Sequence, residues 1–235
     1  AGRLMISLDA VTHAYGERTV LRDIRVELPD HRIGIVGANG SGKSTLVRLL
    51  NGLVLPTKGS VTVHGLDTRR DGAEVRRKVG FVFADPDAQI VMPTVAEDVA
   101  FSLRRQRLDK GEATARVTEV LRRFGLEDHA DHPAHLLSGG QKQLLALASV
   151  LVTEPQVLVC DEPTTLLDLR NARQVTDLIA SLPQQVVLVT HHLHLLEGWP
   201  RVLVIDEGRI VADGPAGDVL PYYVSLMSAP ANPQA

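Results

Sequence analysis

Four short stretches of this sequence carry residue types suited to work on a phosphate anhydride. Gly37-Ala38-Asn39-Gly40-Ser41-Gly42-Lys43-Ser44, followed by Thr45, has the spacing of a phosphate-binding loop. Glycines there let successive backbone N–H groups turn inward on an anion, Lys43 reaches the terminal phosphates, and Ser44 offers a hydroxyl to magnesium. Asp161-Glu162 closes the apolar run Val157-Leu158-Val159-Cys160. An aspartate at a strand end is placed to hold magnesium directly or through water, and Glu162 beside it to accept a proton from attacking water. His191, at the next such strand end, is suited to sensing a γ-phosphate through a hydrogen bond. Ser138-Gly139-Gly140-Gln141 is a second anion site, because a serine and two glycines before a helix leave unpaired N–H groups at the positive end of its dipole. The first site already has its own magnesium acid and base, so the second is read as acting on another molecule's nucleotide.

These groups need an α/β scaffold to hold them. Arg32 to Val36 carries the apolar, β-branched signal of a strand feeding the loop, and a helix begins at Thr45. Met5 to Val11 and Val20 to Leu28 read as strands, with Tyr15 before a turn at Gly16; a flat apolar ring there suits stacking on adenine. Ser60 to Val63 and Val79 to Phe83 are further strands, and Asp71 to Lys78 a short basic helix. Asp85-Pro86-Asp87-Ala88-Gln89 breaks regular structure. Thr94-Val95-Ala96-Glu97 is a capping box that starts a helix, and a second helix runs from about Gly111 to Phe124 with Gly125 as its stop. Then follow an apolar helix from Leu144 to Val152, a helix from about Leu169 to Leu182, the strand Val186 to Val189, and a hairpin around Asp206-Glu207-Gly208. Residues 85–138 are read as a helical insertion in a core formed by 1–84 and 139–228, with 229–235 as a frayed tail.

Composition narrows the classes. A chain of 235 residues with 44% hydrophobic and 23% charged residues buries a real core. Apolar runs such as Leu144 to Ala148 fall far short of a membrane span, so a membrane role has to come through a partner. A net charge of −3 gives no general pull toward nucleic acid. The single cysteine, Cys160, excludes an internal disulfide and suits a reducing compartment. No signal peptide is visible, and Met5 is read as the natural start. His129, His132 and His135 are evenly spaced, but Pro133 breaks any helix that would align them as metal ligands. The arginine clusters read as solvated helix faces.

Taken together, Gly37 to Ser44, Leu137 to Gln141, Val157 to Glu162, Thr165-Leu166-Leu167-Asp168 and His191 resemble an ATP-binding cassette (ABC) ATPase over essentially the whole chain. The resemblance implies an α/β fold: a P-loop NTPase core with an N-terminal antiparallel β subdomain and an inserted α-helical subdomain, organised as one domain over 1–235. It implies ATP and Mg2+ as cofactors and ATP hydrolysis as the activity. Two such domains would sandwich two ATP molecules, each held by one chain's phosphate loop and the other's signature sequence. Nucleotide binding then falls to Tyr15, Gly37, Asn39, Gly40, Ser41, Gly42, Lys43, Ser44 and Thr45, and, from the second subunit, Ser138, Gly139, Gly140, Gln141 and Asp168. Catalysis falls to Glu162 and His191, and magnesium to Ser44 and Asp161.

Within that family, Val82 to Ile90 and Pro93 to Phe101 are similar to the ATPases of energy-coupling factor importers. This resemblance implies peripheral placement on the cytoplasmic face of the cell membrane. The implied partners are a second ATPase subunit, as a homodimer ahead of a heterodimer, a transmembrane coupling protein and a substrate-binding membrane protein. The implied cargo is a vitamin or transition-metal ion, biotin ahead of cobalt or nickel, and no nucleic acid. The chain departs from the family where most members carry a magnesium-contacting glutamine; it has Ala84, and Gln89 is the nearest replacement. Asp85, Asp87, Glu97 and Asp98 are expected to make a negative docking groove for a basic side chain of the membrane partner. A nucleic-acid- or ribosome-associated ABC clamp is the alternative, and it calls for a long coiled-coil insertion or a second cassette. A small-molecule kinase would leave Ser138 to Gln141 unexplained.

Overall fold

A computed structural model describes residues 5–228; the expected frayed tail and the residues before Met5 lie outside the described residues. From the N-terminus the chain forms β1 (Ile6–Tyr15), β2 (Arg18–Leu28), β3 (Arg32–Val36), α1 (Lys43–Leu50), β4 (Lys58–Val63), β5 (Leu66–Asp67) and α2 (Gly72–Lys78). Next come β6 (Val79–Val82), α3 (Val95–Leu103), α4 (Lys110–Arg123), α5 (Gly139–Leu151), β7 (Val157–Asp161) and α6 (Leu169–Ser181). The last elements are β8 (Gln185–Val189), β9 (Arg201–Asp206), β10 (Arg209–Gly214) and α7 (Ala216–Ser228). Two compact units arise, one from the chain up to Val75 together with Val187 onward, the other from Arg76–Val186.

In the first unit an antiparallel sheet has the order β2-β1-β4-β5. Ile6 faces Leu28 on one side and Val63 on the other; Ile6 and Leu8 are buried as the inward half of an alternating strand, and a break in register near Ala10, at φ 50, shifts the phase so that Val11 and His13 turn inward next. A second set of strands places β9 parallel to β3 and β10 antiparallel to β9. Ile33, Ile35 and Val36 are all fully buried, as suits a strand covered on both faces. Arg201 ties the hairpin to the loop before β3, with its guanidinium on Asp213 at 2.7 Å and on Asp30 at 3.0 Å. These hydrogen bonds hold the Arg201 pKa above its ordinary value.

In the second unit β6 runs parallel to β7, with Val79 beside Val157 and Val82 beside Cys160. Every residue of β7 is buried. Helix α5 is buried over nearly its whole length from Gln143 to Leu151, where each fully covered leucine contributes about 1.5–3 kcal/mol. The helix starts follow their capping residues. Thr94 and Glu97 form the expected capping box of α3, Asp109 accepts from the Glu112 N–H at α4, and Gly125 takes φ 67 as α4 ends.

One expectation changes, and one helix is added to those read from the sequence. The apolar helix begins at Gly139 rather than Leu144, because Ser138 and Gln141 make a second capping box that starts it a turn earlier. And α7, which continues through Pro221, was not legible in a stretch that the alternation of β9 and β10 leads into.

Candidate nucleotide site

In the first unit the phosphate loop links β3 to α1, with Gly42 in left-handed geometry just before the helix. Close approach forces its glycines. A Cβ on Gly37 would stand 2.1 Å from the Ile205 carbonyl oxygen, and no side chain fits there. The Lys43 ammonium is buried and donates to the Gly37 and Ala38 carbonyls, 2.8 Å each, which holds the cation over the loop. Asn39 and Gly40 are exposed at its tip, Ser44 and Thr45 half-buried in the first turn of α1. The Ser41 hydroxyl is buried without a hydrogen-bond partner among the described residues.

Sequence reasoning missed what braces this loop. The turn of the β9–β10 hairpin packs on it: the Gly208 N–H donates to the Ser41 carbonyl at 3.0 Å and the Gly208 carbonyl accepts from the Arg22 N–H at 2.8 Å. A Cβ at Gly208 would stand 2.2 Å from the Val20 carbonyl oxygen. Beside the turn lies a cavity of about 520 Å3 whose lining includes Arg18, Arg22, Gly40, Glu207 and Arg209, a basic setting for phosphate or sugar oxygens.

Tyr15 closes β1 half exposed. Behind it the buried His13 meets the tyrosine ring edge-on, centroids 4.7 Å apart, and is itself held by Nδ1 to the Leu55 carbonyl at 2.9 Å. His191 is exposed just past β8 and lies 4.0 Å ring to ring from His192. The Thr190 N–H donates to the Ile35 carbonyl at 3.3 Å, so His191 and the phosphate loop leave from neighbouring strand ends.

In the second unit Asp161 is buried at the end of β7. Glu162 follows in left-handed geometry at φ 55, a conformation that a glutamate holds at a cost of about 1–3 kcal/mol. Thr165 Oγ1 donates to its carboxylate at 3.2 Å. Burial raises the Cys160 thiol pKa well above its ordinary range, with the Asp161 charge adding to it, so the cysteine is a core residue rather than a nucleophile.

The second glycine turn lies inside the helix rather than before it. Ser138 is the N-cap, with its Oγ accepting from the Gln141 N–H at 3.3 Å while Gln141 Oε1 accepts from the Ser138 N–H at 2.9 Å. Gly139 and Gly140 occupy the first turn, whose N–H groups have no intrahelical acceptor. Asp168 caps α6 through the Asn171 N–H at 2.8 Å and also takes the Asn171 side-chain amide at 2.9 Å. That fixes Asn171 against Gly140, where a Cβ would stand 2.7 Å from it. Leu136, Leu166 and Leu169 are exposed nearby in the sequence of these turns.

The structure redirects two sequence expectations. Gln89 turns its amide onto the end of β6, with Oε1 accepting from the Phe83 N–H at 3.2 Å and Nε2 donating to the Phe81 carbonyl at 3.0 Å. Both bonds would have to break before it could serve magnesium, so its role here is to clamp the backbone. Gln143 of α5 also reaches this strand end, donating to the Phe83 carbonyl at 3.3 Å.

The acidic groove is narrowed rather than removed: Asp98 is withdrawn from the surface and Asp87 is paired, while Asp85 and Glu97 stay exposed in local caps. Asp98 is buried and accepts from the Val91 and Met92 N–H groups and from Ser149 Oγ at 2.8–3.0 Å. Asp87 pairs with Lys142 at 2.7 Å, Glu97 closes the α3 capping box, and Asp85 caps the turn that follows it.

The ABC transporter family profile matches residues 21–165. A Deinococcus radiodurans protein provisionally named as an ABC transporter ATP-binding protein is 54% identical over 96% of this chain and 100% of its own length. The biotin transport ATP-binding protein BioM of Rhizobium etli is 47% identical over 93% of this chain and 97% of that protein. Among solved structures, cbiO1 of Clostridium perfringens, part of the ABC transporter complex cbiONQ, superposes with a TM-score of 0.85 at 30% identity, covering 96% of this chain and 94% of that one. Among the described residues no helix is long and apolar enough to cross a membrane.

Proposed function

This chain belongs to the ABC transporter family and is an ATP-hydrolysing subunit, and we propose that it energises an energy-coupling factor importer whose cargo is biotin, ahead of cobalt or nickel ions. The naming of the BioM relatives and the kinship with a cbiONQ component support that reading. The implied partners are a second copy of the chain, a transmembrane coupling protein and a substrate-binding membrane protein, with the ATPase peripheral on the cytoplasmic face. Residues 85–138 act in it as the helical insertion.

One observation carries the mechanism: among the described residues two helix N-termini are glycine-rich, and only at the first does a lysine fold back over the turn's own carbonyls, whereas Lys142 beside the second is drawn away to Asp87. The Ser138 turn, with exposed leucines close by in sequence, suits the role of half a site that a second copy's nucleotide completes. ATP is bound by the phosphate loop with Tyr15 under the adenine and Lys43 on the terminal phosphates. Ser44 and Asp161 are hard oxygen donors of the kind magnesium takes, and the metal when bound neutralises phosphate charge. Glu162 takes the proton of the attacking water, and His191 holds the γ-phosphate by a hydrogen bond.

The test is purification of the tagged chain with its complex from membranes, together with uptake assays. Membrane subunits should co-purify, and Glu162→Gln should stop uptake of biotin; co-purification with ribosomal or nucleic-acid components instead would overturn the importer reading. The shared site has its own test. Gly140→Asp and Lys43→Ala chains, each inactive alone, should regain activity when mixed, because one of the two sites in a mixed dimer is intact.

A further inference from the structure

No sequence signal gives His129 a role, and the structure places it against the Ser138 turn of the second unit. Its Nε2 lies 3.1 Å from Gln141 Nε2. The other end of that amide is already fixed, because Gln141 Oε1 accepts from the Ser138 N–H. The amide nitrogen can therefore only donate, so His129 Nε2 must be the acceptor and the ring proton sits on Nδ1. Nδ1 is buried and has no hydrogen-bond partner among the described residues.

The imidazole is firmly mounted. His132 meets it edge-on with centroids 5.0 Å apart. The segment around it is laced to the start of α3: the Ala96 N–H donates to the Ala130 carbonyl at 2.9 Å, the Val95 N–H to the His132 carbonyl at 3.2 Å, and the Ala134 N–H to the Pro93 carbonyl at 2.8 Å.

We propose that His129 is a positioning residue for the Ser138 turn, acting through the Gln141 amide. With its nitrogen end held by His129, the amide cannot rotate, and its oxygen stays on the Ser138 N–H. The Gln141 backbone N–H is then kept on Ser138 Oγ. A hydroxyl oxygen that accepts from the helix points its own proton away from it, which leaves Ser138 Oγ free to donate to an anion together with the Gly139 and Gly140 N–H groups. Without His129 the amide is free to flip, the cap loses its oxygen, and the Ser138 hydroxyl is no longer aimed. This inference rests on the shared-site reading, in which that anion is the nucleotide of the second copy.

The test uses the full chain and steady-state ATP turnover. His129→Phe keeps a ring against His132 but removes the acceptor, and should lower kcat roughly fivefold, the worth of one hydrogen bond, with the chain's own ATP affinity unchanged. His129→Gln restores an acceptor oxygen and should recover at least half of the loss. In a large excess of Lys43→Ala chains, where nearly every active chain sits in a mixed dimer, His129→Phe should hydrolyse as fast as the unaltered chain does, since its intact loop then faces an intact Ser138 turn. If His129→Phe does not fold, His129→Leu removes the same acceptor with less bulk and should bring the same fall in kcat.

Unchanged kcat in His129→Phe, equal loss in His129→Gln, or a parallel loss of ATP affinity would each overturn the proposal. Failure of Gly140→Asp to complement Lys43→Ala, with mixed dimers demonstrably formed, would instead remove the shared-site reading beneath it.

Discussion

The phosphate loop and the Ser138 turn are both glycine-rich helix N-termini, yet they are built in opposite ways. At the phosphate loop the protein closes in: Lys43 lies on the loop's own carbonyls, and the hairpin turn at Gly208 presses from behind. At the Ser138 turn the frame is lighter and local: a Cβ on Gly139 would have its nearest atoms 4.0 Å away, although one on Gly140 would meet the Asn171 side chain at 2.7 Å, Lys142 beside the turn pairs with Asp87 instead of folding over it, and the cap is made by the turn's own Ser138 and Gln141. A site that must bind charge alone needs its own cation and a rigid frame. A site that meets a ligand already held elsewhere needs only aimed N–H groups and open space.

The largest expected effect lies outside both turns and sharpens the contrast by separating chemistry from binding. Glu162→Gln should lower turnover by on the order of 10²- to 10⁴-fold, because an amide cannot accept the proton, while ATP remains bound in an equilibrium assay. Turnover within twofold of the parent would remove Glu162 from the mechanism.

The same substitution made in each turn tests the comparison directly. Gly37→Ala should destabilise the fold by about 3 kcal/mol, since the methyl meets a backbone oxygen that cannot yield. Gly139→Ala should stay within about 0.5 kcal/mol. Denaturant melts of equal slope measure both, and equal losses would abolish the distinction between crowded and open turns.

Ser138→Ala should cost about 1 kcal/mol through the lost cap and should slow hydrolysis without weakening ATP binding to the separate chain. A matched loss of binding would return this turn to the chain's own nucleotide. The smallest effect belongs to Asp87→Ala, which breaks the pair to Lys142 one residue past the signature. With Asp87 64% exposed, the loss should be about 0.5 kcal/mol, and a loss several times larger would mean that the loop after β6 helps to hold the Ser138 turn.

Much of this was legible in the sequence where the cause is local. The capping box of α3 follows from Thr94 and Glu97, and the same pattern at Ser138 and Gln141 was present but hidden by the glycines, which read as a loop ahead of the apolar face at Leu144. The engagement of Gln89 is not legible in the sequence, because its partners, Phe81 and Phe83, lie back across a turn whose path the sequence leaves open.

What the sequence by itself determined is the chemistry on offer: a phosphate loop after a strand, acids at the end of an apolar run, and two glycine turns, because these depend on residue type and on spacing along a few residues of backbone. Only the tertiary structure decided which polar groups are already engaged. Asp98 is buried under Ser149 and Asp87 is held by Lys142, partners 51 and 55 residues away, and His129 faces Gln141 across 12. A hydrogen bond needs an approach of about 3 Å, and for residues so far apart in the chain that approach is set by how the helices pack rather than by any periodicity the sequence carries.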